Sequence, residues 1–148
     1  MRCYLAITAC LSCQLVASLQ AQDDTDKGIK ELQGKWRAVE MQTGGNPAPK
    51  EVLEKARLEI KDDEMTWHSG GTVVRKSRIR LDPSKSPKEI DITFLDGPGK
   101  GTTFPGIYAL EKGQLRLCYS HTKDRPKDFK TERGQLRELV ILEREKPR

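Results

Sequence analysis

The side chains that most often perform chemistry in proteins are few in this chain of 148 residues. His68 and His121 are its only two imidazoles, whereas a catalytic zinc site usually takes three protein ligands. Ser69 and Ser120 each follow or precede one of these histidines, but adjacent residues on a strand point to opposite faces. No nucleophile, base and orienting group can therefore be assembled. The sequence predicts a protein without catalytic residues, metal or cofactor.

A glycine-rich segment at residues 97–103 superficially resembles a phosphate-binding loop. It reads Gly-Pro-Gly-Lys-Gly-Thr-Thr. A true P-loop needs four residues between its first Gly and Gly-Lys-Ser/Thr, and then a helix whose N-terminus meets the phosphate. Here the spacing is shorter and a strand pattern follows, so a hairpin loop is predicted. The aromatic residues are too scattered for a platform that stacks bases, and no nucleic-acid partner is expected.

Residues 1–21 have the composition of a secretory signal peptide. Arg2 gives a positive start, an apolar run follows, and small Ala21 precedes an acidic, polar stretch. The apolar run is shorter than the ~20 residues that a membrane span needs. The sequence therefore predicts an exported protein (periplasmic, envelope-associated or extracellular), with a loose tail at 22–30 and one domain at 31–145.

Removal of the leader changes the cysteine count and the charge. Of four cysteines only Cys118 remains, so no internal disulfide is possible, and its apolar strand-like surroundings predict a buried, inert thiol. The run before Cys10 also resembles a lipobox, although its apolar part is too short. The leader holds one of the 27 basic residues and none of the 22 acidic ones, which leaves a net charge of +4. This value is modest for the size.

Basic residues are concentrated in two places, a strand and a late loop. They comprise Lys76, Arg78 and Arg80 on one face of the strand, and Lys123, Arg125, Lys127 and Lys130 in the loop. Such a surface would allow weak contact with anionic material of the cell envelope. A solvated barrel exterior is the simpler interpretation.

Short periodic apolar runs predict about eight strands joined mostly by tight turns. The first strand covers residues 35–41, after a possible helical turn at 28–33, and a short helix follows at 49–55. The remaining strands include a hairpin around Asp62-Asp63 and residues 72–82, 89–95, 102–110, 114–120 and 136–143. Short connections require antiparallel neighbours, and the lack of long crossovers favours an all-β, closed up-and-down barrel over a sandwich.

Several stretches of the chain, taken in order, resemble a lipocalin-like domain family that is abundant in planctomycetes and has no known function. Gly34-Lys35-Trp36 is similar to the Gly-x-Trp motif of lipocalins, which lies at the closed end of their barrel. The other similar stretches are residues 81–91, 96–101, 106–108, 115–118 and 124–129. The resemblance covers residues 30–144 and implies an eight-stranded barrel. It brings no catalytic residues.

Two sets of site residues are predicted. The resemblance implies that an Arg of the last strand, here Arg144, packs over Trp36, and with Gly34 they would form a structural plug. The strand pattern could place four further residues inside the barrel, where a packed core and a ligand pocket are equally consistent: Trp67, Phe94, Ile107 and Tyr119. The parity of the last strand is ambiguous, because Leu139 and Ile141 compete with Val140 and Leu142 for the inside.

The favoured functional hypothesis is a monomeric, exported barrel that binds a small apolar ligand in its interior. The first alternative is a solid barrel that acts through its outer surface, as a cell-envelope or protein–protein interaction module. An enzyme is the third hypothesis. A fold alone does not distinguish these three.

Overall fold

Short strands follow one another along the chain and close on themselves in the computed structural model, which describes residues 23–146. The elements are α1 (residues 23–32), β1 (Gly34–Thr43), β2 (Asn46–Pro47), α2 (Lys50–Lys55), β3 (Ala56–Lys61), β4 (Glu64–Ser69), β5 (Thr72–Asp82), β6 (Lys88–Phe94), β7 (Thr103–Glu111), β8 (Gln114–Ser120) and β9 (Arg137–Arg144). The predicted signal peptide at residues 1–21 lies outside the described residues.

The sheet closes because β1 pairs with β3 on one side and with β9 on the other. The strands from β3 to β9 pair in chain order, each antiparallel to the next, and the two-residue β2 only extends β1. This arrangement confirms the predicted eight-stranded up-and-down barrel with a short helix after the first strand. Because neighbouring strands are antiparallel, successive connections along the chain lie at opposite ends of the barrel.

Aliphatic and aromatic side chains on the inward faces of the strands form a packed core inside the barrel. On β9 the inward residues are Val140 and Leu142, which settles the ambiguous parity of this strand. Leu139 points outward and packs with Ile107 and Cys118 in a separate buried cluster, which Phe129 covers. The prediction that Ile107 lies in the barrel interior is therefore wrong. Its apolar character is explained by the loop that folds over the outer face of β7 and β8.

The N-terminal region differs from the prediction. A loose tail was predicted at 22–30 and a single helical turn at 28–33, whereas residues 23–32 form the continuous helix α1. The helix lies across one end of the barrel, where Leu32 is fully buried and Ile29 packs against the core. Two apolar residues three positions apart are enough to dock it, because most helical stability in proteins comes from tertiary packing.

The end of the barrel beneath α1 is closed by the predicted plug. Trp36 is fully buried, and its Nε1 donates a hydrogen bond to the Leu32 carbonyl oxygen at 3.0 Å. The Arg144 guanidinium carbon lies 4.2 Å from the Trp36 ring centroid, and Nη2 donates to the Glu31 carbonyl oxygen at 2.8 Å. Gly34 has φ +113°, and a Cβ there would lie 2.9 Å from Arg144 Nη1. The predicted stacking of Arg144 on Trp36 is confirmed.

Candidate functional site

The end of the barrel opposite Trp36 is open and carries the three longest connections between strands. They are residues 44–55, which include β2 and α2, 95–102 and 121–136, and the two-residue turn at 70–71 lies at the same end. A cavity of about 350 Å³ lies between them and extends into the barrel. Ligand sites in proteins commonly have volumes of ~300–1,000 Å³. The open end is therefore large enough for a small molecule.

The cavity walls are mainly apolar, because the inward positions near the open ends of β1, β4 and β6 carry large side chains. The apolar lining residues are Met41, Val52, Ala56, Met65, Trp67, Val74, Ile92 and Phe94. Trp67 and Phe94 bring aromatic rings to the site, and Met41 and Met65 bring flexible thioethers that adapt to irregular shapes. Such a lining favours ligands that bury apolar surface.

A polar cluster lies on one side of the mouth, where β8 ends and β9 begins. The Tyr119 hydroxyl donates a hydrogen bond to Glu138 Oε2, and His121 Nε2 lies 2.8 Å from Glu138 Oε1. The His121 ring also packs edge-on against Tyr119 and Phe104. Burial, reinforced by the Glu138 charge, raises the pKa of Tyr119 well above its usual value of 10. Tyr119 therefore remains a protonated hydrogen-bond donor.

Arg75 lies at another side of the mouth and is held by the 95–102 loop. Its Nη1 donates to the carbonyl oxygens of Asp96 at 3.3 Å and Pro98 at 3.0 Å. The guanidinium carbon stacks 4.2 Å from the Phe94 ring centroid. These contacts fix the cation in the cavity wall beside the loop, where Arg75 forms part of the lining.

A bulge in β5 sets the pattern of side chains beside Arg75. Trp67 is opposite Arg75 and His68 is opposite Val73, so Val74 is the extra residue. As a result Val73 and Val74 are both exposed, although simple alternation from Ile79 would place Val73 inside. Such bulges add twist and change where side chains point. Here the bulge places a short apolar rim next to the cavity mouth.

Three of the four residues predicted for the barrel interior line this cavity. They are Trp67, Phe94 and Tyr119, whereas Ile107 is excluded because it points outward. The polar lining residues Arg75, Ser77 and Glu138 were not selected from the sequence. Arg75 and Ser77 share the parity of Ile79 on β5, and that periodicity was the signal that could have identified them.

The two histidines lie at the same open end, as the strand directions predict, but they do not form a joint site. Both line the cavity, but His68 Nε2 is 3.7 Å from Glu59 Oε2 on the outer side of β3 and β4, whereas His121 pairs with Glu138 at the mouth. Within residues 23–146, no group of three or more His, Cys, Asp or Glu side chains is placed to hold a metal ion.

A second groove, of about 760 Å³, lies on the outside of the barrel between α1, the β3–β4 turn and β5. Charged side chains form much of its lining: Asp26, Lys30, Asp62, Asp63, Arg78 and Arg80. It contains no aromatic residue. The groove is larger than the open-end cavity, but its lining is less suited to an apolar ligand.

Two of the three basic residues predicted on the strand face pair with acidic side chains. Lys76 Nζ lies 3.6 Å from Glu64, and Arg78 Nε lies 3.2 Å from Asp63. Exposed pairs of this kind contribute little to stability, but they do reduce the local positive potential. The surface is therefore less cationic than the spacing of its basic residues suggests.

Arg125, predicted as part of a basic loop, instead ties this loop to the barrel wall. Its Nη1 donates to the carbonyl oxygens of Gly106 at 2.7 Å and Ile90 at 3.0 Å, and its Nη2 donates to Asp91 at 2.7 Å. Because its donors are used within the protein, Arg125 offers little to an external anion.

No protein-family model, curated protein or solved structure matches this chain. In the part of the chain that the structure describes, no helix is long and apolar enough to cross a membrane.

Proposed function

We propose that this protein binds a small, largely apolar molecule in the cavity at the open end of its barrel. The observation that carries the proposal is the contrast between the two barrel ends. One end is filled by Trp36, Arg144 and α1, whereas the other holds a cavity of about 350 Å³ with aromatic and thioether walls. The closed end therefore blocks passage through the barrel, and the open end leaves an apolar cavity that a small molecule can enter.

The cavity volume bounds the size of the ligand. Water occupies ~30 Å³ per molecule in the liquid, so 350 Å³ corresponds to about a dozen waters. Because bonded atoms are closer together than water molecules, a ligand of roughly ten to twenty non-hydrogen atoms fits the same space. Burial of apolar surface contributes roughly 25 cal/mol per Å², and it is the main source of affinity that these walls offer. A compact aromatic or short-chain molecule would fit this space.

Binding is better supported than catalysis. Ser120 Oγ pairs with Thr122 Oγ1 at 2.8 Å, and Ser77 Oγ has no hydrogen-bond partner among the described residues, so neither serine is activated by a histidine. The raised pKa of Tyr119 disfavours the phenolate that a base would need. The Tyr119, Glu138 and His121 cluster therefore supports a rigid mouth rather than a reaction.

Export remains a prediction from residues 1–21, and with it the proposal describes a carrier or sensor of a small apolar molecule outside the cytoplasm. The alternative of an outer-surface module is less supported, because acidic neighbours pair with Lys76 and Arg78. The alternative also assumed a barrel filled by side chains, whereas this barrel contains a cavity at its open end.

A neutral fluorescent ligand should bind in this cavity with a saturable, one-to-one stoichiometry. Titration with the uncharged dye prodan is expected to shift its emission to the blue and to quench Trp67, which lies in the cavity wall. Trp36 is also within range of energy transfer to the dye, because Leu58 pairs with both Trp36 and Trp67, so the share of the quenching that belongs to Trp67 is measured with a variant. The measurement is a fluorescence titration of dye and protein emission.

The Trp67→Phe variant is the control for the location of the dye. It should bind the dye with a similar dissociation constant but show a smaller fractional quenching, because only Trp36 remains. Fractional quenching that is unchanged in this variant, or dye emission that never saturates, would contradict binding at the open end.

A further inference from the structure

Ser77 is the polar residue whose surroundings say most about the ligand. Its side chain is completely buried, and its Oγ has no hydrogen-bond partner among the described residues. It lies on the inward face of β5, two residues deeper in the barrel than Arg75, and it lines the cavity. Its cross-strand neighbours are Met65 and Phe94, which are both apolar. A hydroxyl is thus placed in an apolar wall.

A buried hydroxyl without a partner is unfavourable, because it loses its hydrogen bonds to water and gains none in return. Nearly all such groups in native proteins have a partner or a functional reason. The neighbouring core positions on the same strand are Ile79 and Leu81, which shows that an apolar residue would suit this face. Packing of the core therefore does not explain why a hydroxyl is present at position 77.

The other buried polar atoms without a partner do not offer the same feature. Tyr108 lies at the closed end near Gly28, and Arg116 is on the outer surface over Phe129. His68 also lines the cavity, but its Nε2 lies 3.7 Å from the Glu59 carboxylate on the outer side of the barrel. Of the four unpartnered buried atoms among the described residues, Ser77 Oγ is the one that belongs to both the cavity lining and an inward strand face.

We propose that the ligand is uncharged and carries one oxygen function, such as a carbonyl, that accepts a hydrogen bond from Ser77 Oγ while its apolar body contacts the cavity walls. This inference rests on the proposed function, because it assigns a ligand class to the same cavity. A single neutral hydrogen bond at the end of an apolar pocket would fix the orientation of the ligand and distinguish it from hydrocarbons of equal size.

An anionic ligand is disfavoured by the charges around the cavity. Transfer of an ionised group into apolar surroundings is costly unless it is paired, and the cross-strand neighbours of Ser77 are apolar. Its chain neighbours Lys76 and Arg78 lie on the outer face, where they pair with carboxylates. On the inward face the nearest basic group on β5 is Arg75, which donates to the loop carbonyl oxygens and stacks on Phe94. Glu138 adds an acidic group at the mouth.

Three compounds of nearly equal size separate these possibilities: butyrophenone, butylbenzene and 4-phenylbutanoate. Their dissociation constants would be measured with the full-length protein by displacement of prodan. We expect butyrophenone to bind about two- to tenfold more tightly than butylbenzene, the range of one neutral hydrogen bond. 4-Phenylbutanoate should bind more weakly than either. In Ser77→Ala the ketone should bind no more tightly than the hydrocarbon, because its carbonyl oxygen has lost its donor.

Ser120→Ala is the matched control, because Ser120 is also buried near the open end but pairs with Thr122 and does not line the cavity. It should keep the preference for the ketone. Thermal unfolding would confirm that both variants are folded, and the comparison of ligands on the unmodified protein requires no variant. Equal affinity for ketone and hydrocarbon, or a preference for the anion, would overturn this inference and leave the binding function standing. No binding of any of the three compounds, or of prodan, would overturn both.

Discussion

Replacement of Trp36 by Ala is expected to lower the free energy of unfolding by about 3–5 kcal/mol, the usual range for removal of a buried aromatic side chain. Trp36 is completely buried, donates a hydrogen bond to the Leu32 carbonyl oxygen, and stacks under Arg144. The variant loses the packing of the indole and its cation–π contact, which by itself contributes ~0.5–2 kcal/mol. Urea denaturation followed by circular dichroism would measure the change.

Lys35→Ala is the control for this experiment, because Lys35 is the exposed neighbour on the same strand. A surface substitution of this type should change stability by no more than about 0.5 kcal/mol. If Trp36→Ala were as stable as Lys35→Ala, the closed end would not depend on the plug, and the account of the barrel floor would be wrong.

Substitution of Met41 by Trp is expected to weaken binding of prodan at least about tenfold, which corresponds to ~1.4 kcal/mol of binding free energy. Met41 points into the cavity near its mouth and is only partly buried, so a larger ring can enter the cavity without distorting the packed core. The added volume would occupy space that the ligand needs. Dye emission, rather than protein emission, should be used because the variant gains an indole.

Gln42→Trp matches this variant in added size and in strand position. Gln42 is the next residue on β1 and lies opposite the outward-facing Leu139, so its side chain is outside the barrel. This variant should bind prodan with the affinity of the unmodified protein. Equal binding by both variants would place the dye outside the open-end cavity.

The barrel could be predicted from the sequence because each strand carries its own period-2 pattern and each turn its own breakers. Leu58, Ile60 and Met65 illustrate this, since they alternate with polar residues around the Asp62-Asp63 turn and all three face the core. The plug was implied by the resemblance of Gly34-Lys35-Trp36 to a Gly-x-Trp motif, and the structure contains its contacts: Gly34 adopts φ +113° and Arg144 stacks on Trp36. Local pattern and global fold agree at these positions.

The candidate site was only partly predictable, because an apolar strand residue can face either the barrel interior or an outer surface that a loop covers. Ile107 is buried from the outside by the loop that carries Phe129, and no strand pattern shows where a long loop will fold. Trp67, Phe94 and Tyr119 do line the open-end cavity, because each lies on the inward parity of its strand. Ser77 was not predicted, because its inward position on the strand does not show whether its hydroxyl contacts a ligand or only packs in the core.

Helix α1 was missed for a related reason. Its described residues contain only a short apolar signal, with Ile29 and Leu32 on one side and many polar residues around them. Isolated helices of this length are marginal in water, and the helix becomes stable by docking on the barrel. Contacts between distant parts of the chain determine this element, so a local pattern could not predict it.

The central claim is that the open end of the barrel is a ligand site, and the methionines provide a direct test. The chain has three methionines, of which Met41 and Met65 both line the cavity and Met1 belongs to the predicted leader. In protein labelled with ¹³C at the methionine methyl groups, titration with butyrophenone should shift the Met41 and Met65 signals and produce ligand contacts to both. Unchanged Met41 and Met65 signals up to the solubility limit of the ketone would contradict the account.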